Sequence, residues 1–75
     1  MIDASKKSWV IASDVRSRDG IGVELLLDGK IVLEIFRDDT KKTREVTIFQ
    51  KEVPLALLEE SIEKFKKEIP WEFLD

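Results

Sequence analysis

The 75-residue chain contains no cysteine and no histidine. Without thiol or imidazole groups it cannot form a disulfide, a thiolate or imidazole metal site, a cysteine nucleophile or a histidine general base. No segment repeats another, and none is of low complexity. These absences exclude many common enzyme and metalloprotein classes before any pattern is considered.

Long hydrophobic runs are also missing. The longest strictly apolar stretches, residues 9–12 and 55–58, fall far short of the roughly 20 residues that a membrane helix needs. The first eight residues lack the apolar centre of a signal peptide. We therefore expect a cytoplasmic protein with no membrane partner.

The composition is that of one small domain spanning residues 1–75. Hydrophobic residues make up 43% and charged residues 39%, enough for a core and a solvated exterior. The net charge of −3 is uneven: residues 1–51 hold 10 basic and 9 acidic side chains, and residues 52–75 hold 3 and 7. Since nucleic-acid binding usually shows as a basic surplus, the bulk charge argues against it.

Hydrophobic periodicity changes once along the chain. Up to about residue 51 apolar side chains alternate with a period of two, which predicts a sheet over residues 8–51 with strands at 8–16, 21–27, 31–37 and 44–51. Gly22, inside the second strand, indicates a bulge or a close backbone approach.

A helical period follows. One apolar stripe predicts a helix over residues 54–69, formed by Leu55, Leu58, Ile62, Phe65 and Ile69. At about 24 Å this helix matches the length of the strands and covers one sheet face. We therefore predict an α+β fold, a four-stranded antiparallel meander with one C-terminal helix on one face (ββββα), flexible residues 1–7 and a tail at 70–75.

The turn at Asp28-Gly29 sets the register of the second and third strands. A two-residue loop puts Val23 opposite Glu34, which places a carboxylate in the apolar row. A three-residue loop over residues 27–29 pairs Leu25 with Ile31 instead, and it also pairs Val23 with Leu33 and Ile21 with Ile35. We predict the three-residue loop. The same device at 18–20 pairs Val15 with Val23.

The sheet face away from the helix carries more apolar side chains than scattered exposure requires. Three interpretations are open: loops, the N-terminal segment or the tail cover the face; a second copy or another protein does; or bases of a nucleic acid stack on it. The predicted register pairs Ile35 with Val46 and Leu33 with Ile48 in the core under the helix, and it pairs Val32 with Phe49 on the uncovered face. The candidate interaction residues, with one from the tail, are Leu26, Val32, Phe36, Phe49 and Trp71.

No residue group indicates a reaction. Asp38, Asp39 and Thr40 form the densest oxygen cluster, but such a turn is usually just solvated, and the spacing of a calcium loop is absent. Cross-strand charge pairing is the expected role of Glu24, Glu34 and Glu45. We expect no enzyme, cofactor or metal. Basic side chains gather at one end of the sheet, and a nucleic-acid site would need them to converge beside Phe36 and Phe49. These side chains are Arg16, Arg18, Arg37, Lys41, Lys42 and Arg44.

Three segments resemble a pattern in short, stand-alone bacterial proteins of uncharacterised function: RDGIGVEL at 18–25, VLEIFRDD at 32–39 and VPLALL at 53–58. That resemblance implies no activity. The order of strands and helix is also similar to single-stranded nucleic-acid-binding modules of the Pur and transcriptional-coactivator kinds. Those are more basic and work as dimers, so the resemblance implies only the topology and a tendency to pair.

The expected function is a non-enzymatic interaction module that pairs with itself or with another protein through the uncovered sheet face. The alternative is a single-stranded nucleic-acid-binding protein.

Overall fold

The computed structural model describes residues 6–14 and 18–74. Four antiparallel strands form one open sheet in sequence order and are followed by one helix, which confirms the ββββα architecture. In the described part of the chain, no helix has the length and apolar character that crossing a membrane requires. The elements are β1 (Lys7–Asp14), β2 (Gly20–Leu27), β3 (Lys30–Asp38), β4 (Thr43–Ile48) and α1 (Leu55–Glu68).

The helix packs through most of its predicted apolar stripe, but Leu55 is 67% exposed and Leu57 packs against the core. Pro54 precedes the first residue of α1, a position that suits proline because it has no N–H to leave unpaired. Its carbonyl accepts hydrogen bonds from the N–H groups of Leu57 and Leu58. Ile69 is extended and ends the helix. Residues 1–5 of the predicted flexible segment lie outside the described residues, whereas Lys7 already belongs to β1.

The core lies between α1 and the middle of the sheet. Val23 and Leu25 of β2 and Leu33 of β3 have no exposed surface and pack in one cluster with Phe65 and Ile69. β1 is tied to the helix at its edge, where the Lys7 ammonium lies 2.9 Å from the Glu60 carboxylate. The helix therefore packs on β2 and β3, and the Lys7 side chain links β1 to it.

The predicted three-residue loop between β2 and β3 is wrong. Leu27 pairs with Lys30 across a two-residue turn, in which Asp28 and Gly29 both have positive φ, 51° and 82°. Two left-handed residues match the right-handed twist of a hairpin. The apolar row is kept by a β-bulge, which shifts the register between Leu25 and Leu26.

The register of β2 and β3 differs on the two sides of the bulge. Leu25 lies opposite Leu33 and Leu26 opposite Ile31, so Val32 is the extra residue of β3. The predicted partners of Val23 and Ile21 are wrong in the same way: they lie opposite Ile35 and Arg37. Val23 lies opposite Ile11 of β1, not Val15, which falls outside the described residues.

The register of β3 and β4 agrees with the prediction. Ile35 lies opposite Val46 and Leu33 opposite Ile48. The pairing continues one residue further, since the Phe49 N–H donates to the Val32 carbonyl at 2.8 Å.

Candidate interaction surface

The five residues predicted to form one interaction face do not lie together. Val32 is buried in the core cluster with Leu33 and Phe65, because the bulge turns it to the helix side. Phe36 is on the face away from the helix but is only 2% exposed. Leu26 is half-buried on that face, and Phe49 is 51% exposed. Placing Val32 on the open face was wrong.

Phe36 is sealed by an ionic cap. The Arg18 guanidinium stacks 3.8 Å above its ring. Arg18 is held there by two bonds to the Glu34 carboxylate, of 2.9 and 3.2 Å, and by a longer one to Asp14. Hydrogen bonding to Glu34 raises the pKa of Arg18 above its ordinary value, so the cap stays charged. The loop before β2 therefore covers the part of the open face around Phe36.

Gly22 provides the space that Phe36 fills. A Cβ atom at Gly22 would lie 2.5 Å from the Ile35 carbonyl oxygen and 2.9 Å from Cδ1 of Phe36. Gly22 pairs directly with Phe36 across the strands. The close backbone approach that Gly22 predicted is thus explained by the ring packed against it.

The helix leaves the β4 edge of the sheet largely uncovered. On β4, Val46 and Ile48 face the helix side but are each 46% exposed. Phe49, at the end of the same strand, is exposed on the other side. We call the outer side of β4, with these three residues, the β4 edge.

Sequence reasoning assigned Val46 and Ile48 to the core. The alternation of β4 gave their face correctly, but α1 packs on β2 and β3. A narrow helix over a four-stranded sheet cannot cover all strands equally, since a helix is about 10 Å wide and strands are spaced about 4.8 Å apart. The width of one helix, considered together with its length, would have predicted that an edge strand stays partly exposed.

The backbone of β4 is open on its outer side. β4 is last in the sheet order, so within residues 6–14 and 18–74 only β3 pairs with it. The Phe49 N–H points to β3. By alternation along an antiparallel strand, the N–H and C=O groups of Val46 and Ile48 point outward. The exposed apolar side chains and the outward hydrogen-bonding groups therefore belong to the same two residues.

Residues 70–74 of the tail return to the helix side of the sheet and do not cover the open face. Trp71 packs edge-on against Phe65, with ring centroids 6.3 Å apart. Its other neighbour is Arg44, whose guanidinium lies 3.8 Å from the Trp71 ring and donates a 2.7 Å bond to the Trp71 carbonyl. Trp71 remains 47% exposed.

The acidic turn has a structural role. The Arg37 guanidinium donates to both carboxylate oxygens of Asp39, at 2.9 and 3.1 Å, and to the Pro70 carbonyl at 2.7 Å. The Leu74 N–H donates to Asp39. Asp38 accepts the N–H groups of the turn at 40 and 41. These carboxylates hold the turn and the tail in place.

Desolvation disfavours the charged form of Asp39, but the hydrogen bonds from Arg37 and Leu74 outweigh it and hold the pKa of this carboxyl below its ordinary value of 3.8. A lowered pKa in the folded state stabilises the fold above the unfolded pKa, and this stabilisation is lost as the pH falls through the folded value. We therefore expect Asp39→Asn to lower stability measurably at about pH 6 and to cost progressively less below pH 3.8. Urea unfolding at about pH 6 and at a pH below 3.8 measures the loss of stability at each pH. An equal loss at both would show that Asp39 acts through shape and not through charge.

Most of the basic side chains at this end have acidic or backbone partners. Arg18 binds Glu34, Arg37 binds Asp39, and Lys41 lies 2.9 Å from Glu45. Lys42 and Arg44 donate to carbonyls of the tail. Arg16 lies outside the described residues. Phe36 is sealed and these cations are engaged, whereas the nucleic-acid interpretation needs basic side chains beside accessible Phe36 and Phe49.

Comparison of the chain with models of protein families, with curated proteins and with solved structures found no match in any of the three. Its function is therefore inferred from its own residues.

Proposed function

We propose that this protein is a non-enzymatic interaction module, and that it binds a protein partner by accepting an additional strand at the β4 edge. The observation that carries the proposal is the coincidence of exposed apolar side chains with outward hydrogen-bonding groups at Val46 and Ile48. Strand addition uses both features: main-chain bonds supply affinity, and alternate side chains supply selectivity.

The second half of β4 lacks the usual protection of an exposed edge, since its charged residues, Arg44 and Glu45, lie in the first half. Natural edge strands are blunted by charged residues, proline or bulges. From Val46 to Phe49 the sequence is uncharged and has no proline, and the pairing with β3 is regular through Ile48. Such an edge attracts strands unless a partner occupies it.

The β1 edge differs. Its exposed apolar residues, Val10 and Ile11, are 44% and 47% exposed but lie on opposite faces. Trp9, which shares a face with Ile11, lies beneath the ammonium groups of Lys7 and Lys64, 5.8 and 5.7 Å from the ring centroid. Residues 8–13 of β1 are also uncharged, but β1 offers one exposed apolar side chain on each face, where β4 offers a pair on one face.

Ile11 and Ile48 form a matched pair for testing the surface. Both are isoleucines on the helix side of an edge strand, 47% and 46% exposed. We expect a fluorescent peptide with the sequence of residues 43–50 to bind the protein, and Ile48→Lys to weaken this binding by about tenfold or more. Ile11→Lys should leave it within about twofold. Fluorescence anisotropy measures both, with circular dichroism to confirm folding.

The reverse ranking would move the surface to β1 and contradict the proposal, as would equal binding by all three proteins. A labelled single-stranded oligonucleotide serves as the competing probe. Salt-sensitive binding of that probe, with no peptide binding, would favour the nucleic-acid alternative instead.

A further inference from the structure

We infer that the strand accepted at the β4 edge is β4 of a second copy, paired antiparallel about a two-fold axis at Thr47. This inference rests on the proposed function and names its partner. The resulting pair has a continuous eight-stranded sheet, with both helices on the same face. Backbone direction, side-chain opposition and charge support this pairing.

Backbone direction restricts the register. The outward groups belong to residues 44, 46 and 48, because the Phe49 N–H points inward to β3. A ladder between two copies forms only when outward residues lie opposite outward residues. A two-fold axis therefore passes at a residue and not between residues, which leaves a few possible centres along the strand.

Side-chain opposition selects among these centres. A centre at Glu45 would set two carboxylates directly opposite each other, which is unfavourable. A centre at Val46 would place Arg44 against Ile48, although the Arg44 guanidinium is already held by Trp71. A centre at Ile48 would place Val46 against Gln50, where the chain bends away.

The centre at Thr47 avoids the first two conflicts and meets the bend at Gln50 only opposite Arg44, at the end of the ladder. Val46 of each copy lies opposite Ile48 of the other, and these pairs exchange main-chain hydrogen bonds. On the other face the two Thr47 residues are adjacent, a favourable cross-strand pair. Glu45 lies opposite Phe49, and its charge remains paired with Lys41 at 2.9 Å.

Charge is also compatible at the ends of the interface. Antiparallel pairing brings the residues before β4 in one copy close to the residues after it in the other. Lys42, whose ammonium donates to the Leu74 carbonyl, precedes the strand, and Lys51 and Glu52 follow it. Each end therefore brings Glu52 near Lys42, with Lys51 as a like charge beside it.

The absence of cysteine makes this geometry directly testable. In an antiparallel ladder the Thr47 pair is non-hydrogen-bonded, with Cα atoms about 4.5 Å apart. This falls within the range that a disulfide spans, about 4.4–6.8 Å. We expect Thr47→Cys to form a covalent dimer under mild oxidation, at least about tenfold faster than Ser8→Cys on the β1 edge. Denaturant should abolish the difference. Non-reducing electrophoresis and intact mass measure it.

Light scattering of the unmodified protein separates the possible failures. If the unmodified protein is a dimer but Thr47→Cys does not form the disulfide faster than Ser8→Cys, the two-fold register at Thr47 is overturned. A monomer at every concentration, together with peptide binding at β4, overturns the second copy as partner but leaves the strand-accepting edge. A monomer that binds no peptide overturns both proposals. A trapped dimer that matches the light-scattering mass supports the inference.

Discussion

Replacement of Phe36 by alanine is expected to destabilise the protein by about 3 kcal/mol or more. The ring is 2% exposed, so its removal loses buried apolar area and leaves a cavity beside Gly22. Arg18 also loses the surface on which it stacks. A domain of this size has a total stability of about 4–11 kcal/mol, so the loss is a large fraction of it. Thermal unfolding should show a midpoint lower by about 15 °C or more.

Phe49→Ala is the matched control, because Phe49 is the other aromatic residue that alternation assigned to the open face. It is 51% exposed, and we expect its removal to cost about 1 kcal/mol or less. Equal losses for the two variants would contradict the sealed position of Phe36. If Phe36→Ala proved too unstable to purify, Phe36→Leu should give a smaller loss in the same direction.

Gly22→Ala is expected to destabilise the protein by about 2–3 kcal/mol. The added Cβ would meet the Ile35 carbonyl oxygen at 2.5 Å and the Phe36 Cα at 3.0 Å. Both are backbone atoms of a paired strand, so relief of the clash requires the β2–β3 ladder to open. Chemical denaturation with urea measures the change in the free energy of unfolding.

Gly29→Ala separates steric space from backbone conformation. At Gly29 nothing lies within 4 Å of an added Cβ, but φ is +82°. The cost there should be only the strain of a left-handed alanine, about 1 kcal/mol. A larger loss at Gly29 than at Gly22 would show that turn geometry, and not the fit of Phe36 on β2, limits stability.

The fold could be predicted from the sequence because its signals are local. Alternation over the strands and the 3–4 spacing from Leu55 to Ile69 each fix an element without long-range information. The β2–β3 register could not be predicted in the same way. The parity conflict at Asp28-Gly29 was real, but a bulge at Val32 and a longer turn both resolve it, and the choice depends on core packing.

The candidate site was predicted less well, for two physical reasons. Alternation states which face a side chain occupies, but not what lies above it: Phe36 proved to be covered by Arg18, a residue of a loop. It also does not show how far a helix extends across a sheet. Ile48 was therefore assigned to the core, although it lies beyond the cover of α1.

The unequal edges of the sheet determine how far assembly can proceed. An edge that accepts a strand is a hazard when both sides of a sheet offer one, because copies then add without limit into fibres. Here a pair joined through β4 would present β1 on both outer sides, with Lys7 engaged by Glu60 and Trp9 shielded by two lysines. In the proposed pair, these charges at the start of β1 would disfavour the addition of a further copy, so growth would end at two copies.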